Sequence, residues 1–176
     1  MSVRRAVTLT IVILAMWGLK RHYADAEVED LRWILWPTAQ LVAAATGSSF
    51  ELEPGAGYLS RQHLFLIEKS CAGVNFMIAA LGLTGLVLVR ERGDGRRNGW
   101  ILAQGLALSY AAAVVVNSIR ILVAIPLASA DLAGGWWTAA RIHRLEGITV
   151  YFVGLLLLDR VGRRLSASSR TTGATS

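Results

Sequence analysis

One cysteine, Cys71, stands where a charged run, Glu68-Lys69-Ser70, gives way to a long apolar segment, with Gly73 and Asn75 close behind. A thiol becomes a strong nucleophile as its thiolate, which requires a neighbouring base or positive charge. The chain offers His22, His63 and His143. His143 lies between Arg141 and Arg144, whose charges oppose its protonation and favour the neutral, proton-accepting imidazole. Arg120 is permanently charged. Its fork of donors suits the oxyanion that forms when a thiolate attacks a peptide carbonyl, or the orientation of a substrate chain. Cys71, His143 and Arg120 together form a set competent for acyl transfer through a thioester, provided that the fold gathers them.

Each of the three also has a bland role. Arg120 serves equally as a snorkelling interfacial arginine, His143 as a headgroup contact beside Trp136 and Trp137, and Cys71 as a small core residue. Other constellations fare worse. A lone cysteine forms no internal disulfide and supplies no CxxC redox pair. No GxSxG elbow occurs, and "HRLEG" lacks the second histidine of HExxH. The histidines are scattered without metal-ligand spacing, so no metal and no cofactor is expected. Lys69 and Ser70 are adjacent and point apart on a helix, a poor Ser–Lys dyad. His63 is the one rival base, but it precedes Cys71 by eight residues, about 12 Å along a helix, and needs a loop to return.

What must position these residues is a set of apolar helices. The 176 residues are 54% hydrophobic and only 17% charged, with a mean hydropathy of +0.48, beyond the usual soluble globule. The net charge of +6 comes without an Arg/Lys-rich tract or aromatic platform, which argues for topology-setting loop charge and against nucleic-acid binding. Residues 71–89 and 100–116 are uncharged runs of spanning length, 145–158 is a slightly shorter one, and 6–19 follows Arg4 and Arg5 as a short first span or a signal peptide. Lys20 and Arg21 disfavour the signal peptide. The stretches 33–47 and 121–134 are short and broken by Pro37, or by Pro126 with Asp131, and read as partial or re-entrant helices. The expected fold is an all-α integral membrane protein, a compact bundle of about four full spans plus two short or re-entrant helices. It forms one domain over 1–165, followed by a disordered polar tail at 166–176.

Positively charged loops stay on the cytoplasmic side. Arg4 and Arg5, Arg90 to Arg97, and Arg160 to Arg170 mark three such segments, whereas 20–70 carries an acidic excess. Four crossings satisfy every mark if 33–47 and 121–142 each return to the side they left. Cys71, "NSIR" at 117–120 and His143 then meet at the outer ends of their helices, at one depth on one face. Asn75, one turn below Cys71, is placed to bond a neighbouring helix or the site. Asn117 shares a face with Arg120 and is placed to orient it. Glu146, three residues after His143, positions the histidine or pairs with Arg144. Gly73 and Gly147 leave room for close helix approach.

These residues resemble the exosortase/archaeosortase family, integral-membrane cysteine transpeptidases, and most closely the compact exosortase K subfamily. The shared pattern stands here as Cys71-Ala72-Gly73, Asn117-Ser118-Ile119-Arg120 and His143-Arg144-Leu145-Glu146-Gly147, with the segment 37–60 ahead of the cysteine also similar. The resemblance covers about residues 33 to 158. It implies a peptidase of the cytoplasmic membrane with its site on the non-cytoplasmic side. Its substrates are proteins with a C-terminal sorting signal (a motif such as Pro-Glu-Pro, a transmembrane helix and a basic tail), and the acyl group passes to water or an amine, among membrane lipids. By this resemblance Cys71 is nucleophile, His143 base and then acid, and Arg120 the transition-state stabiliser. Longer members have about eight spans, and many carry Ser where Ala72 stands. The competing reading is a non-catalytic membrane subunit or transporter fragment with an intramembrane Arg120–Asp131 pair.

Overall fold

Apolar surroundings offer a backbone no outside hydrogen-bond partners, so long apolar stretches resolve into helices. The computed structural model describes residues 3–92, 98–129 and 138–171. Helix α1 (Val3–Asp25) is followed by a 3-10 turn and the short α2 (Arg32–Thr46). A small sheet of β1 (Glu51–Glu53), β2 (Gly57–Ser60) and β3 (Phe65–Ile67) comes next. A second 3-10 turn, Lys69–Cys71, leads into α3 (Val74–Arg92), then α4 (Asn98–Ser129) and α5 (Ala139–Thr171).

Contacts fix the helix directions. A methyl group at Gly82 would meet Met16 at 3.1 Å and one at Gly85 would meet Val12 at 3.0 Å, so α1 and α3 run antiparallel at close range. Thr84 Oγ1 and Ser109 Oγ share a hydrogen bond of 3.0 Å across the antiparallel α3 and α4. Gly154 of α5 lies against Val116 of α4, where an added Cβ would come within 2.8 Å. Small residues at these crossings let backbones approach, as in membrane bundles. The four long helices therefore alternate in direction. Helix α2 runs alongside α4 in the same sense: Trp33 stacks on Tyr110 with centroids 5.9 Å apart, and Ser118 Oγ reaches Thr38 O at 3.5 Å. Its buried face, Ile34, Leu35, Thr38, Ala39 and Val42, has helical spacing.

Pro37 sits inside α2, where proline deletes the bond to the carbonyl four residues back. That carbonyl belongs to Trp33, and the Tyr110 hydroxyl donates to it at 2.8 Å, so the helix continues unbroken. The expectation of a separate broken helix at 121–134 is corrected: α4 runs straight through Pro126 to Ser129. In an apolar environment, keeping the remaining ladder is favoured over exposing a whole turn of backbone. Asn117 and Arg120 consequently lie inside a 32-residue helix and not at its outer end. The all-α expectation is corrected too, by the antiparallel sheet in the order β1-β2-β3. It is tied down by Glu29 Oε1, which accepts from the Gly55 N–H at 2.7 Å. Buried Tyr58 and Ile67 join it to the core that holds Leu35, Val42 and Cys71.

Lys69–Val87 and Leu102–Leu127 are each long and apolar enough to cross a bilayer. Rows of exposed apolar side chains, Ile13, Leu14 and Trp17 on α1 and Ile148, Phe152 and Leu156 on α5, suit hydrocarbon better than water. Helix α5 continues through residues 166–171, and 172–176 lie outside the described residues, as do Arg96, Arg97, Asp131, Trp136 and Trp137.

The sheet depends on one glycine. Gly57 has φ +135°, and a Cβ there would collide with the Ile67 carbonyl of β3. Gly57→Ala should therefore destabilise the protein by at least about 1–3 kcal/mol. Gly18→Ala, on α1 with nothing within 4 Å, should leave stability unchanged or slightly raised. Thermal unfolding in detergent checks this; equal midpoints for the two variants would contradict it.

Candidate active site

Cys71 closes the 3-10 turn that precedes α3 and is buried. The chain turns at Gly73, whose φ is +69°, and a Cβ there would come within 3.0 Å of the Asn117 side chain. Glycine thus gives both the left-handed turn and the space for Asn117 to enter. Fully buried Asn117 donates its Nδ2 hydrogen to the Cys71 carbonyl, fixing the turn. The sulfur lies 3.8 Å from Ser70 Oγ. Among the described residues no hydrogen bond joins the thiol to His143.

Arg120 points from α4 towards α5. Its Nη2 lies 3.0 Å from His143 Nε2 and its Nη1 donates to the Tyr151 hydroxyl at 3.3 Å. Its Cζ stands 5.3 Å from the centre of the Tyr151 ring. Gly147 makes room for it, since a Cβ there would come 2.9 Å from Arg120 Nε. The role of Gly147 is thus more particular than close helix approach. Glu146, only 5% exposed, lies 4.0 Å from Arg120 Nε and 3.6 Å from His143 Nδ1, so it faces both groups, and neither oxygen makes a hydrogen bond.

An arginine donates and cannot accept, so His143 Nε2 is the acceptor and the ring is neutral, with its proton on Nδ1 facing Glu146. Desolvation, and then the Arg120 charge, hold its pKa below the usual 6.5. Burial and Arg120, and not the flanking Arg141 and Arg144, are what oppose its protonation.

Asn75 bonds a neighbouring helix: its Oδ1 accepts from Lys20 Nζ of α1 at 2.9 Å. Asn117 meets the guanidinium through Tyr151, whose hydroxyl donates to Asn117 Oδ1 at 2.9 Å. Sequence reasoning passed over Tyr151. The signal was its spacing: 143, 147 and 151 succeed one another at i+4 on one helical face. A pocket of about 260 Å³ opens here, lined by Tyr23, Ser70, Asn75, Arg120, His143 and Tyr151 among others. Gly73 and Val74 also line it, so it lies against residues on both sides of Cys71. His63 is exposed, outside the pocket lining, in the turn between β2 and β3.

The family description "Transmembrane exosortase (Exosortase_EpsH)" matches residues 39–158, well over half of the chain. The chain belongs to the transmembrane exosortase family. This exosortase is accordingly a membrane protein. The matched range contains Cys71 and Asn117 together with Arg120, His143 and Gly147, of which the last three line the pocket, and it begins after α1. No curated protein and no solved structure matches.

With His22 and His63 replaced by glutamine and the remaining imidazole labelled with carbon-13, His143 should titrate below 6.5. Its neutral form is then favoured by folding at all pH values above that midpoint. The associated stability is full above 6.5 and is lost as pH falls through the lower folded value. Arg120→Met should move the midpoint up towards 6.5. A wild-type midpoint at or above 6.5 would contradict the neutral assignment.

Proposed function

We propose that this exosortase is a membrane cysteine peptidase/transpeptidase that cleaves C-terminal sorting signals through a thioester on Cys71. The observation that carries the reading is the convergence, on one pocket, of the Cys71 turn, a neutral histidine and a largely buried arginine from separate segments. Ionisable groups held inside an apolar bundle are costly, and they persist where they act.

The Nε2 lone pair of His143 is engaged by Arg120 Nη2. A substrate carbonyl oxygen that accepts from the guanidinium draws it away and frees His143 to take the thiol proton. The thiolate attacks the carbonyl carbon, and Arg120 holds the oxyanion. The C–N bond then breaks as His143 returns the proton to the leaving amine, which leaves the acyl group on Cys71. Water or an amine acceptor, deprotonated by His143, attacks the thioester and releases the thiol. Glu146, beside Nδ1, favours the tautomer this sequence needs.

The substrate is a protein whose C-terminus carries a short motif, a transmembrane helix and a basic tail. Helix α3 supports this reading. Between its contacts with α1 and α5 it exposes Asn75, Ala79 and Leu86 in one stripe, which leads down from the pocket and leaves a lateral approach for a helix. Arg5, at the start of α1, and Arg160 and Arg164, in the last turns of α5, belong to the bundle end opposite Cys71. With that end cytoplasmic, the site lies at the outer rim of the cytoplasmic membrane. We read the chain as one of the compact exosortase K type, on the resemblance of its three motifs.

Co-expression with a protein bearing such a signal, followed by mass measurement of the new C-terminus, tests the proposal. Cys71→Ala should abolish processing while the protein still inserts, and unchanged processing would reject the nucleophile. Arg120→Lys should reduce processing by about 10²–10³-fold, because a point charge cannot reproduce the guanidinium fork. Wild-type rates in that variant would reduce Arg120 to a structural residue.

A further inference from the structure

We infer that Tyr151 is a positioning residue, the hydroxyl junction that locks the turn carrying Cys71 to the guanidinium of Arg120. The inference rests on the transpeptidase reading for its consequence in turnover, though the coupling itself is a property of the folded chain.

The hydroxyl is engaged on both sides. It accepts from Arg120 Nη1 at 3.3 Å and donates to Asn117 Oδ1 at 2.9 Å. Because the amide oxygen of Asn117 is taken by Tyr151, its Nδ2 must face the other way, and there it meets the Cys71 carbonyl. The result is a continuous path, Cys71 carbonyl to Asn117 to Tyr151 to Arg120 to His143, that crosses from the loop before α3 through α4 to α5. A hydroxyl suits the central place because it both donates and accepts. A carboxylate could not donate to the amide oxygen, and an ammonium could not accept from the guanidinium.

The ring is fixed independently of the hydroxyl. It packs on Phe76, in the first turn of α3, with centroids 5.2 Å apart, and Arg120 Cζ lies over it at 5.3 Å. Gly147 and Gly154 flank it on α5 and admit Arg120 and Val116 respectively at distances no larger residue allows. Arg120 over the ring and the two hydrogen bonds hold the hydroxyl in place alongside the Phe76 packing, and the hydroxyl sets the spacing between nucleophile turn and oxyanion donor. In the proposed reaction that spacing matters most in the transition state, when sulfur and guanidinium address the same carbonyl. Loss of the hydroxyl should therefore lower kcat more than it raises KM.

The test uses full-length protein in detergent and two readouts. Cys71 is the only cysteine, so iodoacetamide alkylation reports on its turn alone. Tyr151→Phe and Asn117→Ala should each speed alkylation by about tenfold, and the double variant should match the faster single variant within about twofold, as members of one chain do. Multiplying effects, or no change in Tyr151→Phe, would overturn the coupling. In substrate processing, Tyr151→Phe should lower kcat by about 10–100-fold with KM within about twofold, and in an Arg120→Lys background the same change should add less than about twofold. A full additional loss in that background would overturn the positioning role. Phe76→Leu disturbs the ring packing but spares the hydroxyl, and should leave both readouts within about threefold of wild type. If it reproduces Tyr151→Phe, the residue acts through packing and the inference fails. Absence of processing by the wild type would reject the transpeptidase reading, while the alkylation cycle would still decide the coupling.

Discussion

A permanent cation inside an apolar bundle is the constraint around which this protein is arranged. Arg120 cannot shed its charge, and its side chain is only 14% exposed. Desolvating such a group is costly unless donors and charge are met nearby. The chain meets them with three groups on one helix: His143 Nε2, the Tyr151 hydroxyl and ring, and the Glu146 carboxylate. Those partners lie on α5 while the cation lies on α4, so the two helices must be antiparallel, close and in fixed register. Gly147 exists in that register because any side chain would strike the guanidinium.

The same arrangement links stability to chemistry. In the proposed reaction, the groups that engage Arg120 Nη1 and Nη2 are the groups that a peptide carbonyl would displace. In that proposed reaction, a neutral imidazole capped by a cation is a base held in reserve, to be released when an oxygen ligand competes for the guanidinium. The buried thiol is likewise held by its backbone, with its carbonyl pinned by Asn117 and its turn shaped by Gly73. The Cys71 turn, Arg120 and His143 thus come from separate elements, and the packing of α3, α4 and α5 brings Ser70, Gly73, Arg120 and His143 to one pocket.

Much of this site was legible because polar residues stand out in apolar helices. Cys71, Asn117, Arg120 and His143 were each conspicuous for that reason, and the glycines beside them marked close approach. Tyr151 was not, because a tyrosine within an apolar run is equally at home in a core or at an interface, and only its helical register with His143 and Gly147 sets it apart. Pro126 misled, since a proline reads as a break in water but is carried within a long helix where the remaining ladder has no alternative partners. The strands were hidden by their shortness. Three or four residues cannot display alternation, although Gly55 and Gly57, both at positive φ, marked the turn between them.

The central claim is covalent: an acyl group rests on one sulfur part-way through turnover. Intact-mass analysis of the purified protein, quenched with acid during reaction with a peptide that contains a sorting motif, tests it most directly. The account predicts an adduct equal to the N-terminal fragment, mapped to Cys71 and released by hydroxylamine as a thioester should be. Product formation with no adduct, or an adduct on any other residue, would contradict it.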